Sequence, residues 1–265
     1  MFEGNVPFKR KRVLVKREKI KEVETAMKGL VKAMEQGGEK GQDHQYIKQN
    51  PEIVKIIQFH AEKGNGWSQF WLGFFYIHGW GKKLDMDEGI RWLKKSAAKG
   101  LIEAYSWVGM AYDGIRDRKN AAKYYLIGAK KGCPKCMAEI ARYYFSGTGV
   151  KKNDAKGNEW FLKAAQNGNY EAQRELGSDY YFGRGCEKDM KKAVYWLELA
   201  ADNGDMYAAD LLGMIYRYGE GEEIPQDLFA CARYYELAWK KGNETALNSF
   251  IEVNRVIYAG REAEG

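Results

Sequence analysis

Proline and cysteine are scarce, with four of each in 265 residues, where average usage predicts roughly 13 prolines in such a chain. So few cysteines exclude a disulfide scaffold. Long apolar runs are missing too. The longest uncharged window, 64–81, holds five glycines plus Asn65, Ser68, Gln69 and His78, and its dense apolar part is only 70–77, too short for a transmembrane helix. The N-terminus does not open as a secretory signal. Lys9, Arg10, Lys11 and Arg12 form a basic start, but the apolar stretch of about 7–15 residues that should follow does not. A soluble protein of a reducing compartment, expected in the cytoplasm, is the reading.

What is abundant is glycine, at 30 residues, and aromatic side chains, at 8 Trp, 18 Tyr and 11 Phe. That many aromatics exclude disorder as the main state, and glycine with little proline suggests helices joined by tight glycine turns. The net charge of +7 is local: residues 1–21 carry eight Lys/Arg against Glu3 and Glu18, which leaves the rest nearly neutral. A neutral body without a basic stripe excludes nucleic acid as the main ligand. The tail itself has three readings: a solvated N-terminus, a contact with an acidic patch, or targeting to nucleic acid, anionic lipid or the nucleus.

Internal repeats decide the fold. Glycines end similar segments at Gly64, Gly100, Gly132, Gly168, Gly204 and Gly242, at spacings of 36, 32, 36, 36 and 38 residues, the range of repeat architectures. Eight residues before each glycine stand Ile56, Trp92, Tyr124, Trp160, Trp196 and Tyr234. Small residues flank them: Ile53 (the one exception), Gly89, Ala121, Gly157, Ala193 and Cys231 upstream, and Ala61, Ala97, Ala129, Ala165, Ala201 and Ala238 downstream. A bulky residue between small ones at helical spacing describes a helix packed closely on its neighbour. A preceding helix carries the pairs Leu72-Gly73, Val108-Gly109, Ile140-Ala141, Leu176-Gly177 and Leu212-Gly213, each with a tyrosine one turn on: Tyr76, Tyr112, Tyr144, Tyr180 and Tyr216. A G-x-G turn follows in four units, at 79–81, 147–149, 183–185 and 219–221, and is missing from the second. Such helix pairs must stack on one another to bury their faces.

The segments EAQRELGSDYYFGRGCEKDMKKAVYWLELAADNG (171–204) and AEIARYYFSGTGVKKNDAKGNEWFLKAAQNG (138–168) resemble Sel-1-like repeats, relatives of the tetratricopeptide repeat. The resemblance covers about 51–242. It implies an all-α, right-handed α/α superhelical solenoid that binds other proteins, in a family that includes secretion effectors, signalling adaptors, immunity proteins and adaptors of protein degradation. The expected organisation is a basic tail (1–15), an amphipathic capping helix and linker (16–50), the solenoid (51–242) and a C-terminal capping helix and tail (243–265). Ile20, Val23, Met27, Leu30 and Met34 recur at helical steps and define the amphipathic segment over roughly 16–35. It either caps the first repeat or docks on a partner or membrane.

Candidate chemistry is thin. Cys133-Pro134-Lys135-Cys136 has the spacing of half a zinc site or a redox pair, but no second C-x-x-C exists and the three histidines have no matching spacing. Cys136 occupies the slot of Ala104, Ala172, Ala208 and Ala246, so it reads as a small packing residue. Each G-x-G joins two helices and lacks the third glycine and strand of a dinucleotide site. No nucleophile–base–orienter set is present. No enzyme, metal or cofactor is expected.

The resemblance further implies that the first helix of each pair lines a concave groove. Its exposed positions would be Trp67, Phe70, Phe74, Ile77 and His78 in the first unit; Arg142 and Phe145 in the third; Glu171, Arg174, Ser178, Tyr181 and Phe182 in the fourth; and Tyr207, Asp210, Met214, Arg217 and Tyr218 in the fifth. Aromatics, arginine and methionine are the types enriched at interface cores. In the first unit the alternative is that the N-terminal helix covers Trp67, Phe70 and Phe74. The expected function is a non-catalytic module that binds a protein partner (toxin, effector or signalling component), either as an inhibitor such as a cytoplasmic immunity protein or as an adaptor or regulatory scaffold in signalling or secretion.

Overall fold

The computed structural model describes residues 47–264, together with Thr25, and side chains as far as residue 259. The expected tail (1–15) and, apart from Thr25, the amphipathic segment (16–35) lie outside the described residues.

The helices in order are α1 (Pro51–Glu62), α2 (Gly66–His78), α3 (Met86–Ala98), α4 (Ala104–Gly114), α5 (Arg118–Lys130) and α6 (Pro134–Ser146), followed by α7 (Asp154–Gln166), α8 (Tyr170–Phe182), α9 (Met190–Asp202), α10 (Met206–Tyr218), α11 (Leu228–Lys240) and α12 (Glu244–Glu264). Among the described residues no strand forms, and the one extended pairing is an isolated bridge between Glu220 and Ile224. The residues fall into two compact units divided between Asp117 and Arg118. Unit 1 holds α1–α4 and unit 2 holds α5–α12. Within each unit every helix packs on the next one in sequence.

Helix starts follow from short polar side chains that accept backbone N–H groups left without intrahelical partners. Asn65, Asp85, Asn153, Asn169, Asp189, Asp205 and Asp227 all cap in this way. Helix ends follow from glycine. Gly64, Gly100, Gly132, Gly168, Gly204 and Gly242 all have positive φ, the left-handed conformation that closes a helix at little cost only for glycine. The second pair, which lacks a glycine turn, uses Arg116 at φ 62 instead. A side chain there costs about 1–2 kcal/mol. Arg116→Gly is therefore expected to raise the stability of the chain by about 0.5–1 kcal/mol after glycine's extra unfolded-state entropy is subtracted. Equilibrium denaturation of the two proteins checks this, and a loss of stability would show that the Arg116 side chain contributes more than its backbone costs.

The core register differs by one residue from the sequence expectation. The fully buried position lies seven residues before each terminal glycine, where Ile57, Leu93, Tyr125, Phe161 and Leu197 are at most 1% exposed and Tyr235 is 5% exposed. Ile56, Trp92, Tyr124, Trp160 and Trp196, one position earlier, are half-buried; only Tyr234 of that series is buried. Apart from Ile53, the small residues lie four before position −7 and four after it (three after in the last unit, from Tyr235 to Ala238), on a single helical stripe, whereas −8 is rotated about 100° off it. Lysines cover two of the displaced indoles, with Lys95 Nζ 4.0 Å above Trp92 and Lys163 Nζ 4.5 Å above Trp160. The hallmark glycines face this buried series. A Cβ on Gly177 would stand 2.7 Å from Leu197 Cγ, and one on Gly213 would stand 2.8 Å from the Tyr235 ring.

Candidate protein-binding face

In unit 1 the sequence placed Trp67, Phe70 and Phe74 on an open face. Trp67 is 57% exposed, but Phe70 and Phe74 are buried, which corrects the expectation for those two. Phe70 packs edge-on to Trp67, Trp71 and Trp107, and Phe74 to Trp71, Trp80 and Trp107. These rings present their large apolar areas to one another, so neither phenylalanine is left for a partner. Ile77 is half-buried and His78 exposed.

In unit 2 the first helices of successive pairs, α6, α8 and α10, are tied together by arginines. Arg142 on α6 pairs with Glu139 one turn earlier at 2.8 Å and with Glu171 on α8 at 3.0 Å. Arg174 on α8 pairs with Glu175 at 3.1 Å and with Asp205 at 3.0 Å. Asp205 does two jobs: Oδ1 accepts the Tyr207 and Ala208 N–H groups at the start of α10, and Oδ2 faces the guanidinium. With the Asp205 carboxylate buried, Arg174 is a structural tie more than a free contact group. Arg217 at the end of α10 reaches Glu252 on α12 at 3.3 Å.

Phe145 lies half-buried, stacked on Phe161 at 5.6 Å and covered by the Arg184 guanidinium at 4.6 Å. Arg142, Phe145, Ser146, Phe161, Glu175 and Arg184 line an open recess of about 330 Å³. The Tyr181 phenol donates to Glu220 at 3.2 Å, and Glu220 also takes Lys188 at 3.2 Å. Burial, and then the Glu220 carboxylate, push this phenol above its ordinary range, which keeps it a donor. Phe182 and Tyr218, each at the last position of its helix, are 70% and 71% exposed, and Tyr207 is exposed as well. Asp210 and Met214 are half-buried. The 14 candidate residues therefore divide into exposed aromatics (Trp67, Phe182, Tyr207, Tyr218), half-buried groups engaged within the chain (Arg142, Phe145, Glu171, Arg174, Tyr181, Arg217), half-buried Asp210 and Met214, and buried rings (Phe70, Phe74).

A model of the Sel1 repeat matches residues 68–101, 102–133, 134–169, 171–205 and 207–243. The chain belongs to the Sel1 repeat family. Sel1 repeats are protein-interaction modules, and the family is generally a non-catalytic scaffold. The chain is 32% identical over 104 residues to the ERAD-associated E3 ubiquitin-protein ligase component HRD3B of Arabidopsis thaliana; that match covers 38% of this chain and spans 17% of the plant protein's length. A solved Sel1 repeat protein from Oxalobacter formigenes is 28% identical, with a TM-score of 0.61 over 71% of this chain and 76% of that one. Immunity protein PA5088 from Pseudomonas aeruginosa shares the fold at 18% identity, with a TM-score of 0.51 over 83% of this chain and 81% of that one. The all-α solenoid of helix pairs is the fold of this chain.

The division between the two units falls inside the second Sel1 repeat, between its two helices, where the glycine turn is missing. The C-x-x-C of the third repeat also has a place in the repeat plan. Cys133 stands at the N-cap of α6, where its Sγ accepts the Cys136 N–H at 3.4 Å, and Cys136 is the small residue three positions on. Asn65 with Ser68, Asn169 with Ala172 and Asp205 with Ala208 fill the same two slots in other repeats. The hydrogen bond with Cys133, with burial behind it, pushes the Cys136 thiol up, away from the thiolate needed for metal binding or exchange. Among the described residues no group of three or more His, Cys, Asp or Glu could hold a metal ion, and no helix is long and apolar enough to cross a membrane.

One polar pair of the fourth Sel1 repeat escaped the sequence reading. Asp179 on α8 is fully buried, its Oδ1 accepting from Arg184 Nε at 2.6 Å while Oδ2 has no partner among the described residues. Burial pushes this carboxyl up to about 7, and Arg184 offsets only part of the shift. A carboxyl that holds its proton more tightly when folded stabilises the protein most below its ordinary value of 3.8 and loses that contribution as the pH rises towards about 7. In Asp179→Asn the side chain stays neutral throughout. The melting temperature of wild type minus that of the variant is therefore expected to fall between about pH 4 and 7, and thermal melts across that range check it. A difference that rises with pH would show that the pair with Arg184 dominates.

Proposed function

We propose that this chain is a cytoplasmic protein-binding module whose partner docks on the first-helix face of unit 2, and that it acts as an inhibitor, in the manner of an immunity protein that occludes a toxin. The observation that carries the docking face is the placement of Phe182, Tyr207 and Tyr218. All three project into solvent, and Arg174 and Arg217, already held by intrachain carboxylates, lie 5.5 Å and 5.7 Å from the Tyr207 and Tyr218 rings. Pre-paired arginines keep the face ordered before binding, which lowers the entropy cost of association, and exposed aromatics supply apolar area with few torsions to freeze.

A second reading, an adaptor or regulatory scaffold, is favoured by the likeness to HRD3B, which is named as a component of a ligase. The test starts with capture of a partner by the full chain and its identification by mass spectrometry. Affinity is then measured with Phe182→Ala, Tyr207→Ala and Tyr218→Ala. Each is expected to fold normally, with a loss of roughly 1–3 kcal/mol in binding for the best of them. Unchanged affinity in all three would remove the face from consideration. Survival of cells that carry both the captured partner and this chain, against death with the partner alone, decides for the inhibitor; survival in both cases decides for the adaptor.

A further inference from the structure

On the first helices of unit 2, carboxylates are matched by arginines of the same chain. Arg142 takes Glu139 and Glu171, Arg174 takes Glu175, and Arg184 takes Asp179, so every carboxylate on α6 and α8 has its arginine. The carboxylate of α10 does not. Asp210 is half-buried, and its side chain has no ion pair or hydrogen bond among the described residues. Burial pushes this carboxyl up, and no cation pulls it back. Two arginines share the face with it, and both are committed elsewhere. Arg174 is held by Asp205 at 3.0 Å and Arg217 by Glu252 at 3.3 Å.

A carboxylate drawn partly out of water without a counter-charge costs free energy in the protein alone. Such a cost is retained where a ligand removes it, which is why displaced titrations gather at functional sites. The surroundings of Asp210 suit one kind of ligand. Tyr207, three residues before it, and Met214, four after it, stand on the same side of α10, the first exposed and the second half-buried. A long basic side chain lays its apolar stem on such neighbours and carries its charge to the carboxylate. A guanidinium fits better than an ammonium, since it is more weakly hydrated and meets a carboxylate through two parallel hydrogen bonds.

We infer, resting on the unit 2 docking face proposed above, that Asp210 receives a basic side chain of the protein partner, arginine by preference, with Tyr207 and Met214 flanking its stem. The neighbouring ion pairs are already closed within the chain, so Asp210 is the point at which this face selects the charge of what docks on it.

Peptides selected from a phage-displayed random dodecapeptide library on the full wild-type chain serve as the probe. The selected sequences are expected to share a basic residue. Asp210→Asn, and replacement of that basic residue by its uncharged counterpart (citrulline for arginine, acetyl-lysine for lysine), should each weaken binding about tenfold or more. The two changes together should cost no more than either alone. Sequences without a shared basic residue, or losses that multiply when combined, overturn the inference. Full affinity for Asp210→Asn with losses at Tyr207→Ala and Tyr218→Ala overturns it too and leaves the docking face standing, whereas full affinity for all three variants overturns both. Melting temperatures at pH 7 supply a measurement that needs no peptide. Asp210→Asn is expected to melt above wild type, because the cost of the half-buried charge is gone. A lower melting temperature would show that the carboxylate is already compensated within the chain, and would also overturn the inference.

Discussion

Truncation of Leu197 to alanine is expected to destabilise unit 2 by about 3–5 kcal/mol, near the top of the range for large-to-small core changes. The side chain is fully buried on α9 and fills the space that Gly177 of α8 leaves by having no side chain. Two helices share the resulting cavity, so neither can collapse into it without moving the other. The neighbouring Trp196 is larger but only half-buried, and its truncation is expected to cost about 1–2 kcal/mol. Denaturation midpoints and slopes for both variants decide the matter. The opposite order, with Trp196→Ala the more damaging, would return the packing seat to the position read from sequence.

The second large effect is expected at Gly73. A Cβ there would stand 2.8 Å from Leu93 Cγ, 2.9 Å from the Gly89 carbonyl oxygen and 3.0 Å from the Leu93 nitrogen. Two of those three atoms are backbone, so a rotamer change cannot relieve the clash and α2 and α3 must move apart. Gly73→Ala is expected to cost about 3 kcal/mol, the upper end for overpacking, despite alanine's better helix propensity, worth about 1 kcal/mol in the other direction. Gly213→Ala meets first the Tyr235 ring, a side chain rather than backbone, and should cost less. Equal losses at the two glycines would mean that side-chain rather than backbone contact sets the distance between paired helices.

Much of this was legible in one sequence because repeats test themselves. A glycine that recurs at nearly constant spacing, with alanine three residues before it and a Leu-Gly pair ahead of it, records one packing solution several times over. Even the C-x-x-C yielded in part, since Cys136 stands in an alanine slot. Cys133 remained unexplained until the capping asparagines and aspartates, visible at the same offset in other repeats, were seen to accept N–H groups at α2, α8 and α10. The binding face was less legible. Phe182 and Tyr218, six residues after the hallmark leucine, were placed in the open and are exposed, whereas Phe70 and Phe74, two before and two after it, were placed in the open and are buried.

The sequence by itself determined the helix pairs, their turns and the small residues that let them approach, because these depend on local backbone geometry and on contacts that repeat at a fixed separation. Tertiary structure decided which of two adjacent bulky positions enters the core, since they stand about 100° apart at the border of the apolar face and the neighbouring helix fixes how that face is turned. It also decided the arginine ties between repeats and the burial of Asp179, because an ion pair depends on where two side chains end in space. Offset from a motif says which way a side chain points, and what stands opposite it is a property of the folded chain.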